Sequence, residues 1–172
     1  MKKAHVFLFD GYADWELGNV LAELRRLGKV EVISVCFSDK IVTSMGCLKV
    51  KPDITFKQIN IDDILIFILP GGYMWEKSYP QAEIELFLDK LAEEQIPIAA
   101  ICAATTVLAR AGILKGKNHT SNSRAYLKKI VPEYADDDNY INKMSVRDKH
   151  IITASGLGSV EFTADVLCGC TK

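Results

Sequence analysis

Among the five cysteines of the chain, Cys102 stands where a thiol can do chemistry. It lies in the run Ala99-Ala100-Ile101-Cys102-Ala103-Ala104-Thr105, directly after an apolar segment and ahead of a helical one. The pattern small-x-Cys-x-small is the cysteine form of a nucleophile elbow, in which small neighbours let a strand turn sharply into a helix beneath an exposed nucleophile. Alanines hold the places that glycines usually take. A helix over Ala103 to Ala111 would aim its free N–H groups and positive dipole end at the sulfur, which predicts a lowered thiol pKa. The competing reading is a buried core thiol, a common fate for cysteine.

Two other segments carry residue types that would complete such a site. Leu69-Pro70-Gly71-Gly72 ends an apolar run with two glycines, which can turn backbone N–H groups toward a ligand. Together with the N–H of Ala103, those of Gly71 and Gly72 form a candidate oxyanion hole; the plain alternative is a turn. In Asp10-Gly11-Tyr12-Ala13-Asp14-Trp15-Glu16, Asp14 suits an N-cap and Trp15 a packing anchor, and Glu16 suits the first helical turn for its charge. The sharper reading sets Glu16 against the Cys102 thiol. A carboxylate beside a thiolate drives one of the two to hold a proton, and a protonated Glu16 could donate to the sulfur.

The elements that must position these residues are legible as alternating patterns. Short β-branched runs at Val6 to Phe9, Val30 to Phe37, Ile64 to Leu69 and Ile96 to Ile101 predict strands. Between them, Leu17, Val20, Leu21, Leu24 and Leu27, then Ile84, Phe87, Leu88 and Leu91, make apolar stripes at helical spacing. This alternation predicts an α/β fold with a mostly parallel sheet covered by helices on both faces, a three-layer sandwich. Lys40 to Pro52 reads as a small inserted hairpin. Beyond the elbow the sequence predicts a helix closed by Gly112, a strand near Asn118 to Ser121, a helix near Arg124 to Ile130, a solvated loop at Asp136 to Asp138, a strand from His150 to Ala154, and a helix from about Val160 to Leu167.

The chain of 172 residues reads as a single domain, 1–172, and its formal net charge of −1 points away from nucleic acid and anionic membrane surfaces. No segment reaches the ~20 apolar residues of a membrane span. The cysteines are scattered and odd in number, without a CxxC pair, which predicts reduced thiols and a cytoplasmic location. Cys36 and Cys47 read as packing residues, Cys168 and Cys170 as terminal thiols without the second cluster a metal site needs. His5 and His150 read as structural. No P-loop or dinucleotide fingerprint is present, so neither a cofactor nor a metal is expected.

Taken in order, Phe9-Asp10-Gly11 with Trp15-Glu16, Leu69-Pro70-Gly71-Gly72, Ala100-Ile101-Cys102, Gly112-Ile113-Leu114-Lys115-Gly116 with Thr120-Ser121, and Thr153-Ala154-Ser155-Gly156 ahead of Glu161-Phe162 resemble the ThiJ/PfpI family of the class I glutamine amidotransferase-like superfamily. The resemblance spans nearly the whole chain. It implies a flavodoxin-like sandwich, an elbow nucleophile at Cys102, a glutamate partner at Glu16, and a homodimer. Two departures stand out. Protease members of the family have a histidine directly after the nucleophile, where this chain has Ala103, which puts proteolysis in doubt. Deglycase members have one on the strand after the elbow helix, where spacing gives Ser121, with His119 two residues earlier on the same strand face. The expectation is a cysteine-dependent hydrolase or lyase of a small carbonyl or amide compound, using Cys102, Glu16 and His119. The alternative is a redox sensor or protective chaperone built on an oxidisable Cys102.

Overall fold

The computed structural model describes residues 2–170, apart from the side chain of Asp137. The chain runs through β1 (Lys3–Phe7), α1 (Asp14–Arg26), β2 (Val32–Cys36), β3 (Val42–Thr43), β4 (Lys49–Val50), β5 (Ile54–Thr55), β6 (Ile64–Leu69), α2 (Gln81–Glu93), β7 (Ile98–Ile101), α3 (Thr105–Arg110), α4 (Arg124–Ile130), β8 (Ser145–Asp148), β9 (Ile151–Ala154) and α5 (Ser159–Cys170). Seven strands form one sheet in the order β5-β2-β1-β6-β7-β9-β8. Every pairing is parallel except β8 with β9. The strand ILIFIL of β6 and IAAI of β7 are almost wholly buried, as central strands covered on both faces must be.

Crossover handedness explains the layers. The step from β1 to β2 moves toward one edge of the sheet and the step from β6 to β7 toward the other. Right-handed crossovers therefore set α1 and α2 on opposite faces. Helix α1 buries Leu17, Val20 and Leu24 and packs beside α5, whereas α2 buries Ile84, Leu88 and Leu91 and packs beside α3. The chain leaves β1 for β2 and β5, then returns on the other side of β1 as β6. That reversal makes a topological switch point at the carboxyl ends of β1 and β6, the place where open α/β sheets bind ligands.

The structure departs from the sequence expectations at several elements. The first strand is Lys3–Phe7 rather than 6–9, because Ala4, His5 and Val6 pair on both sides while Leu8 and Phe9 continue as buried loop. The short strands β5 and β8 were not expected from the sequence. Residues 118–121 form no strand: His119 makes one isolated bridge to Tyr140, and the Thr120 N–H goes to the Thr153 hydroxyl instead of to a ladder carbonyl. The hairpin β3–β4 forms its own two-stranded sheet, as the sequence predicts. Asp14 is the first residue of α1 rather than its cap. Its carboxylate instead accepts from the Ser44 hydroxyl at 2.8 Å and the Gly46 N–H at 3.2 Å, holding the hairpin onto the first turn of α1, which carries Glu16. Trp15 is 56% exposed and anchors no packing.

Candidate active site

Four neighbouring strands deliver the site. Glu16 comes from the first turn of α1 after β1, Gly71 from the end of β6, Cys102 from the end of β7, and Gly156 from the loop after β9. Cys102 has φ +60, a left-handed conformation that costs a non-glycine residue about 1–2 kcal/mol. Such strain persists only where the surroundings fix it, here at the turn from β7 into the following helix. The Thr105 hydroxyl donates to the Cys102 carbonyl at 2.7 Å and pairs with the Ser121 hydroxyl at 2.6 Å, while the Thr106 hydroxyl donates to the Ala103 carbonyl at 2.7 Å. Ser121 thus supports the elbow from behind.

Glu16 is fully buried. Its Oε2 accepts from the Gly71 N–H at 2.6 Å, and its Oε1 is buried without a hydrogen-bond partner. A Cβ built on Gly156 would lie 2.9 Å from the Cys102 sulfur and 3.1 Å from Glu16 Oε1, so the unpaired oxygen and the sulfur share one small space. A Cβ on Gly71 would lie 2.8 Å from Cys102 Cβ and 2.8 Å from Glu16 Oε2. Only glycine fits at either place.

Burial pushes the Glu16 carboxyl up to about 7, against the opposing pull of the Gly71 N–H and the nearby thiol. The Cys102 thiol is also raised, first by burial and then by the Glu16 charge; the Asn122 amide and the Ala103 N–H act in the opposite direction. The expected lowering by a helix N-terminus is therefore overturned. Residues 102–104 form a tight 3₁₀ turn and α3 is a single short helix starting at Thr105, so its dipole is weak against the burial of the sulfur.

Asn122 was not singled out from the sequence, because an asparagine in a polar loop carries no periodic signal. Its Nδ2 donates to the Cys102 sulfur at 3.2 Å and its Oδ1 accepts from the Gly156 N–H at 2.9 Å. At the mouth, the Tyr126 hydroxyl donates to Glu76 at 2.6 Å and is raised in pKa chiefly by burial.

The other expected residues divide. The Ala103 N–H acts directly on the sulfur. Gly72, at φ +151, follows Gly71 at the same loop, but the Gly71 N–H is already taken by Glu16 and is withdrawn from the oxyanion hole. His119 stands apart from the thiol. The ring is buried, with Nδ1 at 2.7 Å from the Lys117 carbonyl and Nε2 at 2.6 Å from the Tyr134 hydroxyl, between the edges of Tyr134 and Tyr140. Burial lowers its pKa; Nδ1 donates to the Lys117 carbonyl, and Nε2 is held by the Tyr134 hydroxyl, which also reaches the Asp136 carbonyl at 3.0 Å. Neither nitrogen is free to serve as a base. His5 is buried in β1 with Nδ1 at 3.2 Å from the Lys3 carbonyl, in keeping with a structural place.

The sequence profile of the DJ-1/PfpI family matches residues 2–168. The chain is 32% identical over 173 residues, 96% of its own length and 82% of the relative's, to a Bacillus subtilis protein named as the uncharacterized protease YoaZ. It is 33% identical over 91 residues, 53% of its length and 55% of the relative's, to the deglycase PfpI of Pyrococcus furiosus. Among solved structures, a thiJ/pfpI family protein from Bacillus anthracis superposes with a TM-score of 0.89 at 34% identity, covering 98% of this chain and 82% of that one.

Proposed function

Since the chain belongs to the DJ-1/PfpI family, we propose that it is a cysteine-dependent hydrolase or lyase acting on a small carbonyl or amide compound, with α-dicarbonyls as its first candidate substrates. The observation that carries this reading is the buried, unpaired Glu16 Oε1 beside the Cys102 sulfur. A carboxyl with a pKa near 7 is matched to accepting and returning a proton at neutral pH. As Cys102 adds to the carbonyl carbon, its proton passes to Glu16. The carbonyl π pair moves to oxygen, which the Ala103 and Gly72 N–H groups receive, and Glu16 then returns the proton. The raised thiol pKa fits transfer of the proton during attack, without a standing thiolate. Relatives named as deglycases support the carbonyl class.

Peptide hydrolysis is disfavoured, because it requires protonation of an amine leaving group. Ala103 supplies no imidazole and His119 is spent on Lys117 and Tyr134. Glyoxal consumption and casein cleavage by the wild type, Cys102→Ser and Glu16→Ala test the reading. The expected result is slow dicarbonyl consumption abolished in both variants, and no casein cleavage. Proteolysis that survives Cys102→Ser overturns the mechanism. A second reading, a redox sensor in which Cys102 is oxidised to the sulfinic acid, rests on the partial exposure of this thiol and on the engagement of both His119 nitrogens by Lys117 and Tyr134. No turnover with ready oxidation of Cys102 by peroxide would select it.

A further inference from the structure

We propose that Asn122 is the side-chain oxyanion donor of the site, in place of the Gly71 N–H. This rests on the carbonyl-addition reading above. The Gly156 N–H can only donate, so the amide oxygen of Asn122 must face it and the NH₂ group must face the sulfur. The amide is thereby fixed in one orientation. Its nitrogen carries two hydrogens: one is directed at the Cys102 sulfur 3.2 Å away, and no acceptor within the described residues claims the other. Asn122 is exposed, so a substrate arriving from solvent can reach it, whereas Glu16 is fully buried.

Addition forms a C–S bond and breaks the carbonyl π bond, and the pair goes to an oxygen on the carbon now attached to sulfur. That oxygen sits one bond beyond the sulfur's new partner, within reach of an amide nitrogen already in contact with the sulfur. The thiol proton, held on Glu16, passes to this oxygen and closes the balance: thiol plus aldehyde gives hemithioacetal. In the resting enzyme the amide bonds the sulfur; during addition it bonds the developing oxyanion, and in the adduct the hydroxyl oxygen that results. The interaction thus strengthens where charge develops, which is the requirement for catalysis.

The test uses Asn122→Ala and Asn122→Asp in the full chain. The aspartate retains an acceptor for the Gly156 N–H but has no donor. Three quantities are measured: glyoxal kcat/KM, the affinity of the hemithioacetal formed with ¹³C-carbonyl-labelled acetaldehyde by NMR, and the rate of Cys102 alkylation by iodoacetamide at high pH. Substitution at a saturated carbon makes no oxyanion. Both variants are expected to lose about 10²–10³-fold in kcat/KM, as for loss of an amide oxyanion donor elsewhere, and to bind the aldehyde more weakly, while the alkylation rate, read at the high-pH plateau where loss of the amide's pull on the thiolate no longer enters, falls much less. Equal losses in alkylation and addition would overturn the proposal, making Asn122 only a modulator of the sulfur, as would an unchanged adduct affinity. A wild type that forms the adduct without turnover overturns the enzymatic reading and leaves Asn122 judged on the adduct alone. A wild type that forms no adduct overturns both.

Discussion

At the scale of single residues, the buried Glu16 carboxyl bears on both the titration of Cys102 and stability. Its pKa rises from the usual 4.5 to about 7 on folding, chiefly by burial. Between those values the unfolded chain releases the proton while the folded one keeps it, so stability from this group is present below about pH 4.5 and is lost as pH rises through 7. The displacement corresponds to about 3 kcal/mol. Glu16→Gln keeps an oxygen for the Gly71 N–H and removes the titration. Thermal melts at a series of pH values should show the variant flatter than the wild type from pH 4.5 to 7 and more stable at pH 8. The same substitution removes a charge that raises the Cys102 thiol. Alkylation of Cys102 should therefore begin at lower pH in Glu16→Gln than in the wild type. Coincident curves would return Glu16 to the role of a helix-start residue.

At the scale of elements, the site depends on four strand ends meeting without room for a methyl group. Gly156→Ala sets a Cβ against the Cys102 sulfur and Glu16 Oε1, neither of which lies at the end of an exposed flexible chain. The strain should cost about 1–3 kcal/mol and depress labelling of Cys102, while exposed Cys47 keeps its rate; mass spectrometry of alkylated peptides reads both. The elbow itself is fastened by Thr105, whose hydroxyl serves the Cys102 carbonyl and Ser121 together. Thr105→Val is nearly isosteric but leaves both without that partner, at a cost of about 1–3 kcal/mol measurable by urea unfolding. A neutral result would mean that the strained φ at Cys102 is held by the sheet alone.

At the scale of the whole molecule, the order of strands brings together residues far apart in sequence: Glu16 and Gly71 are 55 positions apart and Asn122 and Gly156 are 34 apart. Among the described residues no helix is long and apolar enough to cross a membrane. We propose a homodimer, as the family resemblance implies. Exposed apolar side chains such as Leu157 and Val160, at 86% and 66%, are surface that association could cover. Light scattering at micromolar concentration should give twice the mass of the chain, and a clean monomer would refute this.

The sequence alone determined the parts that follow from local pattern. Continuous apolar runs mark β6 and β7 because a strand covered on both faces has no polar side, and leucines at helical spacing mark α1 and α2 because each helix buries one stripe. The elbow at Cys102 was legible since few contexts place small residues on both sides of a cysteine at a strand end. Tertiary structure decided the rest. The pKa of Cys102 depends on burial and on the Glu16 charge, which outweigh a short helix that by itself favours the thiolate. The fate of His119 was set by Lys117 and Tyr134, contacts that strand spacing cannot encode. The Gly71 N–H was lost to Glu16, and Asn122 was gained through Gly156, because donors and acceptors pair by proximity in the fold and not by position along the chain.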